Sequence, residues 1–290
     1  MNPLVSVVIP VFNQERFLAE AIESVLAQTY PSIETVVVDD GSTDGTAAIA
    51  RGYGSRIVYL RQDNAGAAAA LNRGIQQASG ELVGWLSSDD VYLPKKIERQ
   101  VELHNRRPEI AATYTDFMLI GAKGEVIRKV KSRYLDDRRK FIRQLILVNF
   151  VNGSSILARR DALIEAGLFD QQMKYHADAN MWLRLLKRGE FAHVAEVLLK
   201  YRIHAGAASR DRAGMNRYRQ IYFDKIWETF AVDEVVLDGE DPEQFITRAL
   251  IANGLFERAW RRLVNGRGRP GLFVDFAKTW SSDLVRRYLR

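Results

Sequence analysis

The chain has 290 residues, a formal net charge of +6 and no cysteine, which excludes disulfides, thiol nucleophiles and thiolate zinc sites. Its 47% hydrophobic and 27% charged content is that of a globular protein. No stretch reaches the ~20 apolar residues of a membrane-spanning helix. The opening MNPLVSVVIPVF lacks a basic leader and its apolar run breaks at Pro10, so a cytoplasmic protein without a secretory signal is expected.

In chain order, VSVVIPVF (5–12) is an unbroken apolar run, as expected of a strand buried on both faces of a parallel sheet. Phe17, Leu18, Ala21, Ile22, Val25 and Leu26 then repeat at helical spacing. TVVVDD (35–40) predicts a second buried strand, stopped by the turn signal GSTDG. A short helix, the strand RIVYL (56–60), an alanine-rich helix over 65–78 and the strand ELVGWL (81–86) follow. Pro94 suits the first turn of a helix that runs to about Asn105. This βαβαβαβ order predicts a doubly wound sheet, whose ligands bind beyond the carboxyl ends of the strands. Pro10–Asn13, Asp39–Asp40 and Ser88–Asp90 all fall at such ends.

Residues 111–119 read as another strand, and 128–143, with eight basic residues against Asp136 and Asp137, as an exposed loop or helix. NGSSILARRDALIEAGLFD (152–170) predicts a strand and a short helix. DANMWLRLLKRG (178–189) is an amphipathic helix with Asp178 at its cap and Gly189 at its end. A strand or strand pair lies within 191–204, and after about 206 the pattern is helical. From Arg248 onward ten Lys/Arg stand against Glu257, Asp275 and Asp283, just after the acidic run DEVVLDGEDPE (233–243). In LIANGLFERAWRRL and LFVDFAKTWSSDLVRRYLR large apolar residues sit beside arginines. That pattern is compatible with helices lying on the inner face of an anionic membrane, and equally with helices packed on the main domain or in a homodimer. No nucleic-acid module is present.

LSSDDVYLP (86–94) places two carboxylates side by side at a strand end. Neighbouring strand residues point to opposite faces, so Asp89 and Asp90 should have different partners. Mg²⁺ or Mn²⁺ needs only one or two carboxylates when phosphate and water complete its shell, whereas the simpler alternative is an acidic structural turn. A nicotinamide dehydrogenase would carry GxGxxG after the first strand and a P-loop kinase GxxxxGK[ST]; the chain reads PVFNQE there, without the Gly/Arg-rich loop of a sugar-phosphate nucleotidyltransferase.

SVVIPVFNQERFLAEAIESVLAQTYPSIETVVVDDGSTDGT, NAGAAAALNRGIQQASGELVGWLSSDD, GSSILARRDALIEAGLFD, HADANMWLRLLKRG and YRIHAGAAS, in this order, resemble the blocks of family 2 glycosyltransferases, inverting enzymes of the GT-A fold. The resemblance implies a Rossmann-like mixed α/β sheet flanked by helices. It implies a GT-A catalytic domain over 1–205, with a nucleotide-binding half (1–105) and an acceptor-binding half (106–205), and a helical C-terminal extension over 206–290. Pro10 and Phe12 are implied along the nucleotide, Asp39 and Asp40 at base and ribose, and Asn64, Gly66 and Arg73 on the ribose and pyrophosphate side. Ser88 and Asp89 are implied at the donor, Asp90 and His204 at Mn²⁺ or Mg²⁺, and Asp178 as the catalytic base. Ser87 stands where many members have aspartate, Ala177 where they have glutamate and Asn180 at a further acidic position. The implied reaction transfers a sugar from a nucleotide-sugar, UDP being the commonest nucleotide, to a saccharide or lipid-linked acceptor in cell-envelope polysaccharide or glycolipid assembly. The alternative is a homologue that binds nucleotide-sugar with impaired catalysis.

Overall fold

A computed structural model describes residues 2–135, 137–207, 211–255 and 258–259. The first four strands, β1 (Val5–Val11), β2 (Ile33–Asp39), β3 (Val58–Arg61) and β4 (Leu82–Trp85), are parallel in the order β3-β2-β1-β4. Every residue of β1 is buried, because the strand has neighbours on both edges and helices on both faces. Leu18, Ala21, Ile22 and Val25 recur on one face of α1 (Leu18–Leu26) and pack on Val5, Val7 and Ile9. α2 (Thr46–Gly52) and α3 (Ala67–Gln77) complete the crossovers. The predicted doubly wound start is thus observed.

Beyond β4 the sheet becomes mixed. After the short β5 (Val91–Tyr92), α4 (Lys96–Arg106) leads into the long β6 (Ile110–Ile120). β7 (Val126–Val130) folds back antiparallel on the far end of β6. Residues 128–143, expected as one exposed loop or helix, therefore divide into the end of a strand and the start of α5 (Arg138–Leu147). Val126–Val130 is fixed as a strand by its pairing with β6, and the helix begins only where Asp137 accepts a capping bond from the Lys140 amide at 2.8 Å.

β8 (Leu157–Arg159) enters antiparallel between β4 and β6, and α6 (Arg160–Glu165) follows it. α7 spans Ala177–Leu185, shorter than the predicted 178–189. Gly189 lies instead at the turn into β9 (Glu190–Arg202), where a Cβ would stand 2.8 Å from the Glu109 carbonyl. β9 is one 13-residue strand, parallel to β6 and antiparallel to β5. The whole order is β3-β2-β1-β4-β8-β6-β9-β5, with β7 on β6.

α8 (Arg212–Thr229) and α9 (Pro242–Ala252) follow. The chain divides into two compact units, Met1–Tyr134 with Phe150–Met215, and Leu135–Asn149 with Asn216–Arg290. In the second, Asn253 Nδ2 donates to the Ile146 carbonyl at 2.9 Å and the Arg143 guanidinium lies 4.2 Å from the Phe245 ring centre. The tail expected on a membrane or a partner lies almost wholly outside the described residues.

Candidate active site

Three loops at the carboxyl ends of neighbouring strands build one rim. The first follows β1. Asn13 takes a positive φ of 52°, and its amide donates to Ser42 Oγ at 3.0 Å while its Oδ1 accepts from the Thr43 amide at 2.8 Å. Glu15 accepts from the Gly45 amide at 2.6 Å. PVFNQE and DDGSTDG are thereby laced together. Pro10 is buried in β1 opposite Val38, and Phe12, at the mouth, is 45% exposed.

The second loop follows β2. Asp39 is fully buried. It accepts from the Ser42 amide at 2.8 Å, the Tyr59 hydroxyl at 2.7 Å and the Arg61 guanidinium at 3.2 Å. Burial would raise its carboxyl, but the Ser42 and Tyr59 hydrogen bonds and the Arg61 charge hold it below the usual range. Asp40 accepts from Gln62 Nε2 at 2.7 Å and from the Ala65 and Gly66 amides at 2.9 and 2.8 Å. It thus pins the 62–66 segment, with Asn64 and Gly66, against the start of α3. Gly41, at φ 81°, has no room for a side chain, since a Cβ would lie 2.9 Å from the Asn64 amide nitrogen. Arg73 sits behind this segment and donates to the Arg61 carbonyl at 2.9 Å.

The third loop is Ser87–Asp90 after β4. It closes as a tight turn, Asp90 N donating to Ser87 O at 3.0 Å, with Ser88 buried inside. Asp90 is wholly buried. Its Oδ2 accepts from Ser154 Oγ at 2.6 Å and its Oδ1 from the Arg202 amide at 2.9 Å. Burial first, and the Asp89 charge second, push its carboxyl well above the ordinary range. Asp89 keeps 18% of its side chain exposed and meets His204 across 2.9 Å, Oδ2 to Nε2. The two aspartates do have different partners, but Asp90, expected to face the cation, is the internal strut. Its neighbour Asp89 faces the rim.

Arg202 makes this arrangement rigid. Only 2% exposed, it donates from Nε to the Asp89 carbonyl at 2.8 Å, and from its amino groups to Glu20 at 2.5 Å and the Gly121 carbonyl at 3.4 Å. The Phe17 ring lies 4.9 Å from its guanidinium and 4.8 Å from the His204 ring. Sequence reading missed Arg202, Ser154, Glu20 and Phe17 as parts of the site. The one available signal was that Arg202 and Ser154 lie within YRIH and GSS, blocks in which only His204 was assigned a role.

Asp178 lies half-buried in the first turn of α7, not at the cap. The cap is His176, whose left-handed φ of 60° turns the chain into the helix earlier than expected. One turn beyond Asp178, Trp182 packs against Trp85 of β4 with ring centres 6.4 Å apart, and Phe169 lies against both. α7 is thus anchored to the strand that leads into the Ser87–Asp90 turn.

Asp89 and His204 offer a hard oxygen and an imidazole nitrogen. No group of three or more potential ligands forms among the described residues. This donor set suits a divalent cation whose remaining ligands are phosphate oxygens and water.

Comparison with known proteins bears on the family and the fold. A family model described as glycosyl transferase family 2 matches residues 6–167. An uncharacterized glycosyltransferase of Rickettsia prowazekii (strain Madrid E) is 35% identical over 253 residues, covering 85% of this chain and 78% of its own. A putative teichuronic acid biosynthesis glycosyltransferase of Bacillus subtilis (strain 168) is 31% identical, covering 73% of this chain and 83% of its own. The crystal structure of S. aureus TarS 1-349 in complex with UDP-GlcNAc superposes with a TM-score of 0.68 at 18% identity, over 87% of this chain and 73% of that one. At that identity the likeness is one of fold.

Proposed function

The chain belongs to glycosyl transferase family 2, is a glycosyltransferase and has the GT-A fold, and from that premise we propose that it moves a sugar from a nucleoside-diphosphate donor to a hydroxyl acceptor with inversion at the anomeric carbon. The observation that carries this reading is the Asp89–His204 pair, set 2.9 Å apart on the rim beside the Asp39–Asp40 loop. A neighbour in fold bound to UDP-GlcNAc supports a UDP-sugar donor. A relative named for teichuronic acid biosynthesis supports a saccharide or lipid-linked acceptor in cell-envelope polymer assembly.

Asp40, with three acceptor positions filled by the chain, keeps one for the base or ribose. Asp39, which accepts from both the amide and the hydroxyl of Ser42 and from Tyr59 and Arg61, has none left and serves as the strut beneath it. Pro10 and Phe12 line the nucleotide, and Asn64, Gly66, Arg73 and Ser88 complete the donor side. Asp89 and His204 would hold Mg²⁺ or Mn²⁺, which when bound neutralises charge on the departing diphosphate. Asp178 acts as general base. It takes the acceptor hydroxyl proton while that oxygen attacks the anomeric carbon opposite the diphosphate. Such assistance is worth about 10²–10⁴-fold, and a single displacement needs no enzymic nucleophile.

A thermal-shift screen of nucleotide-sugars with and without Mn²⁺, followed by turnover with Asp178→Asn, tests this. The expected result is retained donor binding with turnover lost in the variant. Undiminished turnover by Asp178→Asn would remove the base assignment. Tight donor binding by the wild type, with no turnover on any acceptor or water, would instead favour a binding homologue.

A further inference from the structure

The β6–β7 hairpin presents a cationic surface distinct from the residues proposed for the donor, the cation and the base. Residues 121–134 hold Lys123, Arg128, Lys129, Lys131 and Arg133 against one acid, Glu125. All five cations are exposed. At the tip Val126 and Ile127 stand 60% and 55% open, and Tyr134 at the far end 58%. This protein pairs many of its surface arginines: Arg56 with Glu23, Arg99 with Glu102 and Glu196, Arg107 with Glu109 and Glu190, Arg188 with Glu165. The side chains of Arg128, Lys129 and Lys131 have no acidic partner among the described residues. Glu125 turns back on its own hairpin and accepts from the Lys123 amide at 3.1 Å.

The strand is also an edge. Among the described residues β7 pairs only with β6, and a register shift beside Leu119 and Ile120 places a bulge at Ile127. Lysine, arginine and bulges are devices that keep an exposed edge from pairing with another strand. They do not require two large aliphatic side chains at the tip. Unpaired cations flanking exposed aliphatic residues match the interface of an anionic bilayer, where the cations meet lipid phosphates and the aliphatic groups enter the headgroup boundary. The turn of the hairpin, next to Val126 and Ile127, touches the rim. The Gly121 and Ala122 carbonyls accept from Arg202 at 3.4 and 3.5 Å, and Ala122 also accepts from Arg16 at 3.4 Å.

We propose that the 123–131 edge of the hairpin is a docking surface for an anionic phospholipid bilayer. It would hold the rim at the plane where a lipid-linked acceptor presents its hydroxyl. The proposal stands on this hairpin alone and does not depend on the transferase assignment of any residue.

The test is sedimentation of the full chain with vesicles of phosphatidylglycerol and phosphatidylcholine, and with phosphatidylcholine alone. Compared are wild type, Arg128→Glu/Lys129→Glu/Lys131→Glu and Val126→Ser/Ile127→Ser. Binding only to the phosphatidylglycerol vesicles is expected, weakening as salt rises. The charge-reversed variant should lose on the order of 100-fold in partitioning. The serine variant should fall several-fold, with thermal melting and donor hydrolysis unchanged in both. Equal vesicle binding by wild type and the charge-reversed variant would overturn the proposal and assign the membrane to another segment. So would absence of vesicle binding together with tight binding to a soluble anionic polysaccharide.

Discussion

His204 Nε2 lies 2.9 Å from Asp89 Oδ2, joining two residues 115 positions apart in the chain. The contact sets a carboxylate oxygen against an imidazole nitrogen. Both side chains sit at the rim, 10% and 18% exposed, so changing them should spare the fold. Asp89→Asn and His204→Ala are each expected to reduce release of nucleoside diphosphate from the donor by at least ~100-fold, a barrier change of about 2.7 kcal/mol, with unfolding midpoints close to wild type. Chelation of divalent cations should lower wild-type turnover strongly and the residual turnover of either variant little. A coupled assay of diphosphate release reads all three.

Arg202 should be intolerant even of lysine. Its guanidinium serves the Asp89 carbonyl, Glu20 and the 121–122 carbonyls at once, and one ammonium cannot reproduce that fork. Arg202→Lys is expected to cost about 3 kcal/mol in urea unfolding, because a buried ammonium replaces the guanidinium and the carbonyls it served are left unmet, the half-exposed Glu20 adding little. The KM for donor should rise with it, as the Asp89 backbone loosens.

Asp90 is a strut, so shape and hydrogen bonding there should matter more than charge. Asparagine keeps an oxygen for the Arg202 amide and offers an amide donor to Ser154 Oγ. It also removes the repulsion with Asp89. Asp90→Asn is expected within about 1 kcal/mol of wild type, whereas Asp90→Ala, which orphans both donors, should lose about 2–3 kcal/mol. Paired denaturant melts of the two variants distinguish a strut from a surface ligand.

His104 gives the fold a dependence on pH. It lies on the buried face of the last turn of α4, with Nε2 3.1 Å from the Leu157 carbonyl and no partner for Nδ1 among the described residues. Burial lowers its pKa to about 4. Its ordinary value is near 6.5, so the unfolded chain binds the extra proton first as pH falls. The stability from a neutral His104 is whole above about pH 6.5 and is lost progressively toward pH 4. Between pH 7 and 4.5 this residue should account for about 2 kcal/mol of lost stability. His104→Gln, compared with wild type by urea unfolding at the two pH values, should show a shallower fall by that amount.

Much of the scaffold could be read along the chain. The apolar runs at 5–12 and 35–40 and the helical repeat from Phe17 to Leu26 are local signals, and β1, β2 and α1 formed where they predicted. The turn after β4 was legible as a candidate site only through the family resemblance, since adjacent carboxylates at a strand end are by themselves equally an acidic structural turn. Which carboxylate faces outward was not legible. Alternation placed Asp89 and Asp90 on opposite sides, but only the arrival of Ser154, from the turn before β8, and Arg202, from β9, decided that Asp90 is the inner one. β7 was missed for a similar reason: a basic, exposed strand lacks apolar alternation and is fixed by pairing with β6.

The sequence by itself determined the family, the parallel first half of the sheet and the loops at its strand ends that form the candidate site, because periodicity, turn chemistry and motif order are written in neighbouring positions. Tertiary structure alone decided how the residues of the candidate site are divided. Asp89 and His204 stand at the rim while Asp90 and Arg202 are drawn inside, since burial and hydrogen-bond saturation depend on strands that meet only after more than a hundred residues of intervening chain have folded.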